Sequence, residues 1–512
     1  MPSAPQGLIE EPAHSDAFVR GLSEAIGGPL GDHAVRHPAE SNRFWTVSRI
    51  VLALTCLMLS LHWVQKAPCR DGAWTNLNQY KYFCYTDVLA LYYAEHLSDG
   101  KVPYAEQPVE YPVLTGALLG VIGLPVHSYG QKNPDVNQGQ VFYDINAFVL
   151  GALGVVTVGA LLAARRRRPW DVAMFGLAPA LLLTATVNWD LLAVGLAALG
   201  MLAWARRRPA LAGMMIGLGI SAKLYPVLIL GPLLLLALRS GRWRAALGAL
   251  GATIATWVVV NGPVAELWPD NWGKFFEFNT DRGIDWGTLW YIGEHFPTGN
   301  GHYGISWFAD LNNNPTHSGL NALYLTFFLL ACACIGALTM LAPRRPRMGQ
   351  LVFLVVAAFL LFGKVWSQQY VLWLLPLAVL ARPKWGAFLA WQVAEVAYFA
   401  AFYGELMGAS GHAVFPEWVF VAAAMLRWFS VATLAGFVVR DIIHPELDVV
   451  RRTYDDDPDG GDFDGARDTG FVERLRAYFS PLAETVLDDS ELEESELGES
   501  GPGGAVLAES LG

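Results

Sequence analysis

VLTGALLGVIGLPV (Val113–Val126) and FYDINAFVLGALGVVTVGALLAARRRR (Phe142–Arg168) together decide how this chain lies. Both are apolar, but they cannot both cross a membrane. Lys and Arg between spans stay on the cytoplasmic side. If Val113–Val126 crossed inward, Phe142–Ala164 would cross outward and leave Arg165–Arg168 outside. The first stretch is also short and carries Gly116, Gly120, Gly123 and Pro125. It is therefore read as a re-entrant or surface-lying element, which is allowed where protein or a wet cavity covers it. A first outer loop then runs over about residues 65–140.

With that stretch set aside, the charges agree at every step. Span one is Trp45–Val64, read as an uncleaved signal-anchor, and span two ends at Arg165. Span three, near Trp170–Val187, exits at Asn188-Trp189-Asp190, and span four, near Leu191–Ala205, returns to Arg206–Arg208. Ala210–Leu238 has Arg on both flanks, so it crosses twice, turning at Lys223-Leu224-Tyr225-Pro226. Span seven, near Ala245–Asn261, opens a second outer loop over 262–318, rich in Trp, Asn, Gly and Asp. Span eight is Leu320–Leu341. Span nine, Leu351–Gly363, exits at Lys364, and span ten returns to Arg382 and Lys384. Spans eleven and twelve are Gly386–Phe402 and Trp418–Val439.

The expected architecture is an all-α polytopic membrane protein of about twelve transmembrane helices, residues 45–440, with two large outer loops carrying surface-lying helices. Residues 1–44 read as a disordered cytoplasmic segment. Residues 441–512 are acidic and Gly-rich and read as a mostly disordered cytoplasmic tail, with a short amphipathic helix at Phe471–Val486. Both termini are expected inside, at a plasma membrane. Only 16% of the 512 residues are charged, against about a quarter in a soluble domain. Basic clusters are short and border spans, which excludes nucleic acid as a partner. The eleven histidines form no HExxH-like pairing, so no metal is expected, and no cofactor. Cys69 and Cys84 flank one outer loop and are a disulfide candidate, with two free thiols as the alternative.

Ionisable groups at membrane depth are expensive and are functional candidates by default. Asp87, Glu110, Asp144, Asp190, Lys223, Lys364 and His412 all fall on the outer side, and Arg427 lies inside the last span. A carboxylate beside an acceptor hydroxyl can act as general base. Lysine and arginine at the same depth can bind a phosphate and stabilise it as it leaves. Together they suit transfer from a phosphate-linked donor anchored in lipid.

The run Thr86-Asp87-Val88, Gly100-Lys101-Val102-Pro103-Tyr104 and Glu110-Tyr111-Pro112 resembles the first outer loop of glycosyltransferase family 87. Asn188-Trp189-Asp190-Leu191-Leu192, Gly213–Gly219 before Lys223-Leu224-Tyr225-Pro226, and Lys364-Val365-Trp366-Ser367-Gln368-Gln369-Tyr370 fit the same pattern. The resemblance implies a GT-C-type bundle and an enzyme using a polyprenyl-phosphate sugar donor, as in actinobacterial mannosyltransferases. It implies inverting transfer of a sugar, mannose or alternatively arabinofuranose, to a lipid or glycan acceptor at the outer face. Asp87 takes the role of catalytic base. Glu110, Asp190, Lys223, Arg282, Lys364, Gln368, Gln369 and Tyr370 are the expected substrate-binding residues.

Each has a plainer reading. Asp87 could cap the following helix, and Glu110 could fix a turn before Tyr-Pro. Lys223 and Lys364 could be snorkelling anchors. Arg282 could only pair with Asp281 or Asp285, and Arg427 could form a structural ion pair. At the level of the whole chain, a lipid transporter or a cell-wall assembly scaffold is the alternative. A transporter predicts internal repeats and charges at the bilayer midplane, whereas no repeat stands out and the charges gather on one side.

Overall fold

The computed structural model describes residues 9–27, 44–299 and 302–479. The fold is almost entirely α-helical; its strands are the short antiparallel pair Pro297–Gly299 and His302–Tyr303. Six helices are long and apolar enough to cross a membrane. Five coincide with predicted spans: Val47–Gln65, Gln138–Ala164, Trp243–Leu267, Ser318–Leu341 and Glu417–Ile443. A further predicted span, Trp385–Ala409, is as long but carries Glu395 and Glu405. The other six predicted spans are short apolar pieces of 10–17 residues, so among the described residues six helices meet both the length and the apolarity of a full crossing. The chain is a multi-pass membrane protein.

The sixth long helix is Val113–Lys132. Its length would carry it about 30 Å, yet both its ends meet the same end of the bundle. Near its start, Thr115 Oγ1 donates to the Ala222 carbonyl at 2.7 Å, where helix Pro209–Ala222 finishes opposite Arg206–Arg208. Near its finish, Gly130 packs on Gln138, where helix Gln138–Ala164 begins opposite Arg165. Between them Gly116, Gly120 and Gly123 let Tyr104, Pro103 and Leu97 of the preceding loop lie directly on the helix. The helix thus lies across one end of the bundle, and the glycines that shorten its apolar run seat that loop.

Helix Val371–Ala381 is the hub. Every one of its residues is buried, as are 13 of the 15 in neighbouring Met348–Phe362, and a helix apolar all round belongs inside a bundle. Pairing elsewhere depends on small residues. Gly213 and Gly217 face the Ala249 and Thr253 carbonyls of helix Trp243–Leu267 so closely that a Cβ at either would collide with backbone. That small-xxx-small spacing is how apolar helices approach in a membrane. Predicted span three is broken: Pro169–Val172, Ala173–Gly176 and Pro179–Thr184 follow one another. Pro179 cannot donate to the preceding turn, and the Gln392 side chain accepts from the freed Ala180 amide at 3.2 Å.

The terminal segments differ from the expectation of disorder. Asp16 Oδ1 caps helix Ala17–Gly27, and its Oδ2 accepts from the Trp385 amide at 2.6 Å. Residues 441–479 are ordered against the arginine end. Asp459 takes Arg165 through two bonds of 2.9 and 2.6 Å. Asp448 takes Arg347 at 2.7 and 3.1 Å, and Asp468 takes Arg239 at 3.0 and 2.7 Å. Phe463 is buried on Trp204, ring centroids 5.0 Å apart. Composition alone reads such a segment as solvated; here its acids are the counter-ions of arginines buried at helix ends. Residues 470–479 are helical, and the rest of the helix expected at Phe471–Val486 lies outside the described residues.

Candidate active site

Five of the bundle's apolar helices are short: Pro209–Ala222, Leu230–Ser240, Asp190–Ala205, Met348–Phe362 and Val371–Ala381. Runs of 11 to 16 residues reach only about 17–24 Å. The space they leave is a cavity of about 1020 Å³, roofed by both outer loops.

Of the predicted residues, Asp87, Glu110, Lys223, Arg282, Lys364, Gln368, Gln369 and Tyr370 all line this cavity. Asp190 does not; it is buried behind the wall. Asp144 pairs with Arg70 away from the cavity at 3.1 Å, and His412 is exposed elsewhere.

Thr86, not Asp87, caps the helix Asp87–Ala94: its Oγ1 accepts from the Val88 amide and donates to the Thr186 carbonyl at 2.6 Å. The carboxylate of Asp87 is thereby left facing the cavity, half-buried. Asn188 Nδ2 donates to it at 2.7 Å and to the Tyr111 hydroxyl oxygen at 2.6 Å, and the Tyr85 hydroxyl also bonds it. Among the described residues no cation is ion-paired with Asp87. Burial raises its pKa above the usual carboxylate value, while the bonds from Asn188 and Tyr85 and the charge of Lys223 pull it back. Glu110 is raised too, by burial and then by Asp87.

The cations differ among themselves. Lys223 is ion-paired with Asp190 at 3.0 Å, and Trp373 Nε1 holds the other Asp190 oxygen at 2.6 Å. Its ammonium sits over the Tyr111 and Tyr370 rings, 5.5 and 5.4 Å from their centroids. Arg282 pairs with Asp285, not Asp281, at 3.3 Å. Lys364 donates to the Thr280 and Arg282 carbonyls at 3.0 and 2.6 Å and, among the described residues, has no carboxylate partner. Carbonyls orient an ammonium without neutralising it, and one of its three donors remains. Burial and neighbouring Arg282 push Lys364 down to about 8.

Arg427 is structural. It is sandwiched between Trp366 and Tyr398, each 4.2 Å from its guanidinium, and pairs with Glu395 at 3.0 Å. It donates to the Trp366 and Ser367 carbonyls, holding the turn that presents Gln368 and Gln369. Cys69 and Cys84 are joined as a disulfide, with Cα atoms 5.7 Å apart. The opposite wall is apolar: Val227, Phe275, Phe276, Leu325, Phe328 and Phe359. Tyr85, Tyr111 and Asp285 are cavity residues absent from the sequence-based set; each flanks or answers a residue in it.

A carboxylate with raised basicity, facing cations across a cavity with one greasy wall, can accept a proton while a phosphate is held opposite. No curated protein matches the chain. Residues 139–365 match the family model of glycosyltransferase family 87, a stretch that holds Asp190, Lys223, Arg282 and Lys364 and leaves Asp87 and Glu110 before it. Over those residues the chain is similar to glycosyltransferase family 87.

Proposed function

We propose that this chain transfers a sugar, mannose in the first instance, from a polyprenyl phosphate to a hydroxyl of a lipid or glycan acceptor, with inversion. The arginine end faces the cytoplasm by the charge rule, so the cavity opens at the outer face of a plasma membrane and both terminal segments lie inside. The observation that carries the reading is the placement of Asp87 and Lys364 on one cavity with an apolar wall. The donor's isoprenoid lies along Val227, Phe276, Leu325 and Phe328, and its phosphate meets Lys364 and Arg282. Asp87 takes the acceptor hydroxyl proton as that oxygen attacks the anomeric carbon. The bond from that carbon to the phosphate oxygen breaks, and the charge left on the phosphate is held by the cations. Lys223, already shared with Asp190, supports this from behind, and Gln368, Gln369 and Tyr370 line the sugar's position.

The test is transfer by the full chain in lipid from radiolabelled polyprenyl-phosphate mannose, with polyprenyl-phosphate arabinofuranose in parallel. Product from mannose is expected. Product from arabinofuranose alone would change the sugar, and no product from either would overturn the reading.

A further inference from the structure

Beneath the Asp87 carboxylate lies a fully buried cation that does not touch the cavity. Lys66 follows helix Val47–Gln65, and its side chain has no exposure. Its ammonium donates to the Tyr85 carbonyl at 3.0 Å, and among the described residues it has no ion-pair partner. The Tyr403 hydroxyl donates to the same carbonyl at 3.4 Å, so Lys66 is not needed merely to satisfy that oxygen. A bare ammonium in such a place is costly and is kept only where a charge answers it. Burial pushes the Lys66 ammonium down to about 7, and the charge that opposes burial is Asp87, two residues beyond Tyr85. Tyr85 itself joins them, its carbonyl on Lys66 and its hydroxyl on Asp87.

The covalent frame points the same way. Cys69 lies three residues after Lys66, and Cys84 lies one residue before Tyr85; both sulfurs are fully buried. The disulfide therefore joins the segment that carries the cation to the segment that carries the carboxylate. A polar layer under both completes the support. His62, one turn before Lys66, meets Thr186 Oγ1 at 2.6 Å, and the Thr186 carbonyl receives the hydroxyl of Thr86, the cap before Asp87.

We propose that Lys66 is a positioning residue of the Asp87 site, held there by the Cys69–Cys84 bond, which keeps Asp87 ionised and fixes Tyr85 against it. This rests on the reading of Asp87 as the base, but it is measurable without any transfer. Other charged or titratable groups face Asp87 from every side: Tyr85 on its own segment, Glu110 and Tyr111 from the same loop, Lys223 from the cavity wall with Asp190 behind it, and Tyr403 from helix Trp385–Ala409. Lys223 pulls the Asp87 pKa down but is already paired with Asp190, and the Asp87 charge in turn acts on Lys66.

The experiment is an infrared titration of the Asp87 carboxyl in the full chain in lipid, isolated by subtracting Asp87→Asn, for wild type, Lys66→Met and Lys66→Arg. Removing a nearby positive charge raises a carboxyl pKa, by about one unit or more at close range. Lys66→Met should therefore titrate about one unit higher than wild type, with Lys66→Arg close to wild type. The acid limb of transfer should move by the same amount at nearly unchanged donor KM. An unmoved Asp87 titration in folded Lys66→Met overturns the proposal. If Lys66→Met does not fold, the Cys69→Ser, Cys84→Ser pair loosens Lys66 from Tyr85 without changing either. It should raise the titration in the same direction, and an unchanged titration there overturns the proposal equally. Absence of transfer in wild type would bear on the function, not on this coupling.

Discussion

The two ends of this bundle use the same residue types in opposite ways. At the arginine end, Asp448 is buried and gripped by two bonds from Arg347. Burial works against its charge, but Arg347, the Val450 amide and Arg451 together outweigh burial, and its pKa falls below the usual carboxylate value. At the cavity end, Asp87 is held by an amide and a phenol with no cation paired to it, and burial raises it. Arg165 and Arg347 are each paired with a carboxylate and bonded to the Leu380 carbonyl, whereas Lys364 rests on carbonyls and the Tyr324 ring. At the arginine end the buried charges are spent on one another, whereas at the cavity end Asp87 and Lys364 are left without an ion-pair partner among the described residues. The contrast sorts the ionisable residues by their partners rather than by their depth.

The contrast can be broken at either end. The largest stability loss is expected at the arginine end. Asp459→Ala strands fully buried Arg165, and removing one member of a buried pair costs about 3–5 kcal/mol. Thermal unfolding in lipid should fall accordingly, and an unchanged midpoint would mean that the tail does not hold the bundle. Next comes the disulfide. Opening the loop between Cys69 and Cys84, sequence separation 15, removes about 3 kcal/mol of constraint on the unfolded chain, read as a lower midpoint on reduction.

At the cavity end, Lys364→Met should raise donor KM about 10- to 100-fold, the loss of a charge-assisted contact of about 1.5–3 kcal/mol, while leaving the midpoint near wild type. A fallen midpoint with unchanged KM would move Lys364 to the structural group. The smallest effects are in pH. Asp448 has a lowered folded-state pKa, so its contribution to stability is present above the unfolded value and is lost as pH falls through the folded one. Lys364 must be protonated to hold a phosphate, so donor KM should rise as pH climbs through about 8. Flat KM from pH 7 to 9 would contradict its role.

Much of this was legible in the sequence where one residue type speaks alone. Arginine clusters alternate with apolar runs, and that placed Lys223 and Lys364 at the end opposite Arg206–Arg208 and Arg344–Arg347 before any contact was known. What was not legible depends on pairs. Asn188 reaches Asp87 across 101 residues, and Arg165 reaches Asp459 across 294. The acidic tail reads as solvated because composition counts its charges without their partners. The broken third span reads as continuous because hydropathy does not register where Pro179 interrupts the hydrogen bonds. Asp190 reads as a cavity acid because spacing puts it beside Asn188, but one step along the helix turns it behind the wall. Lys66 carries no signal in the sequence because a lysine at the end of a span is the commonest of anchors.

On the proposed reading, Asp87 is free for chemistry because no cation among the described residues is paired with it. The most direct measurement is single-turnover transfer from bound polyprenyl-phosphate sugar by Asp87→Asn beside wild type, with donor binding measured on the same samples. Asn keeps the shape and loses the base, so transfer should fall by about 10²–10⁴-fold with donor affinity and unfolding midpoint retained. Transfer at the wild-type rate by Asp87→Asn would contradict the account.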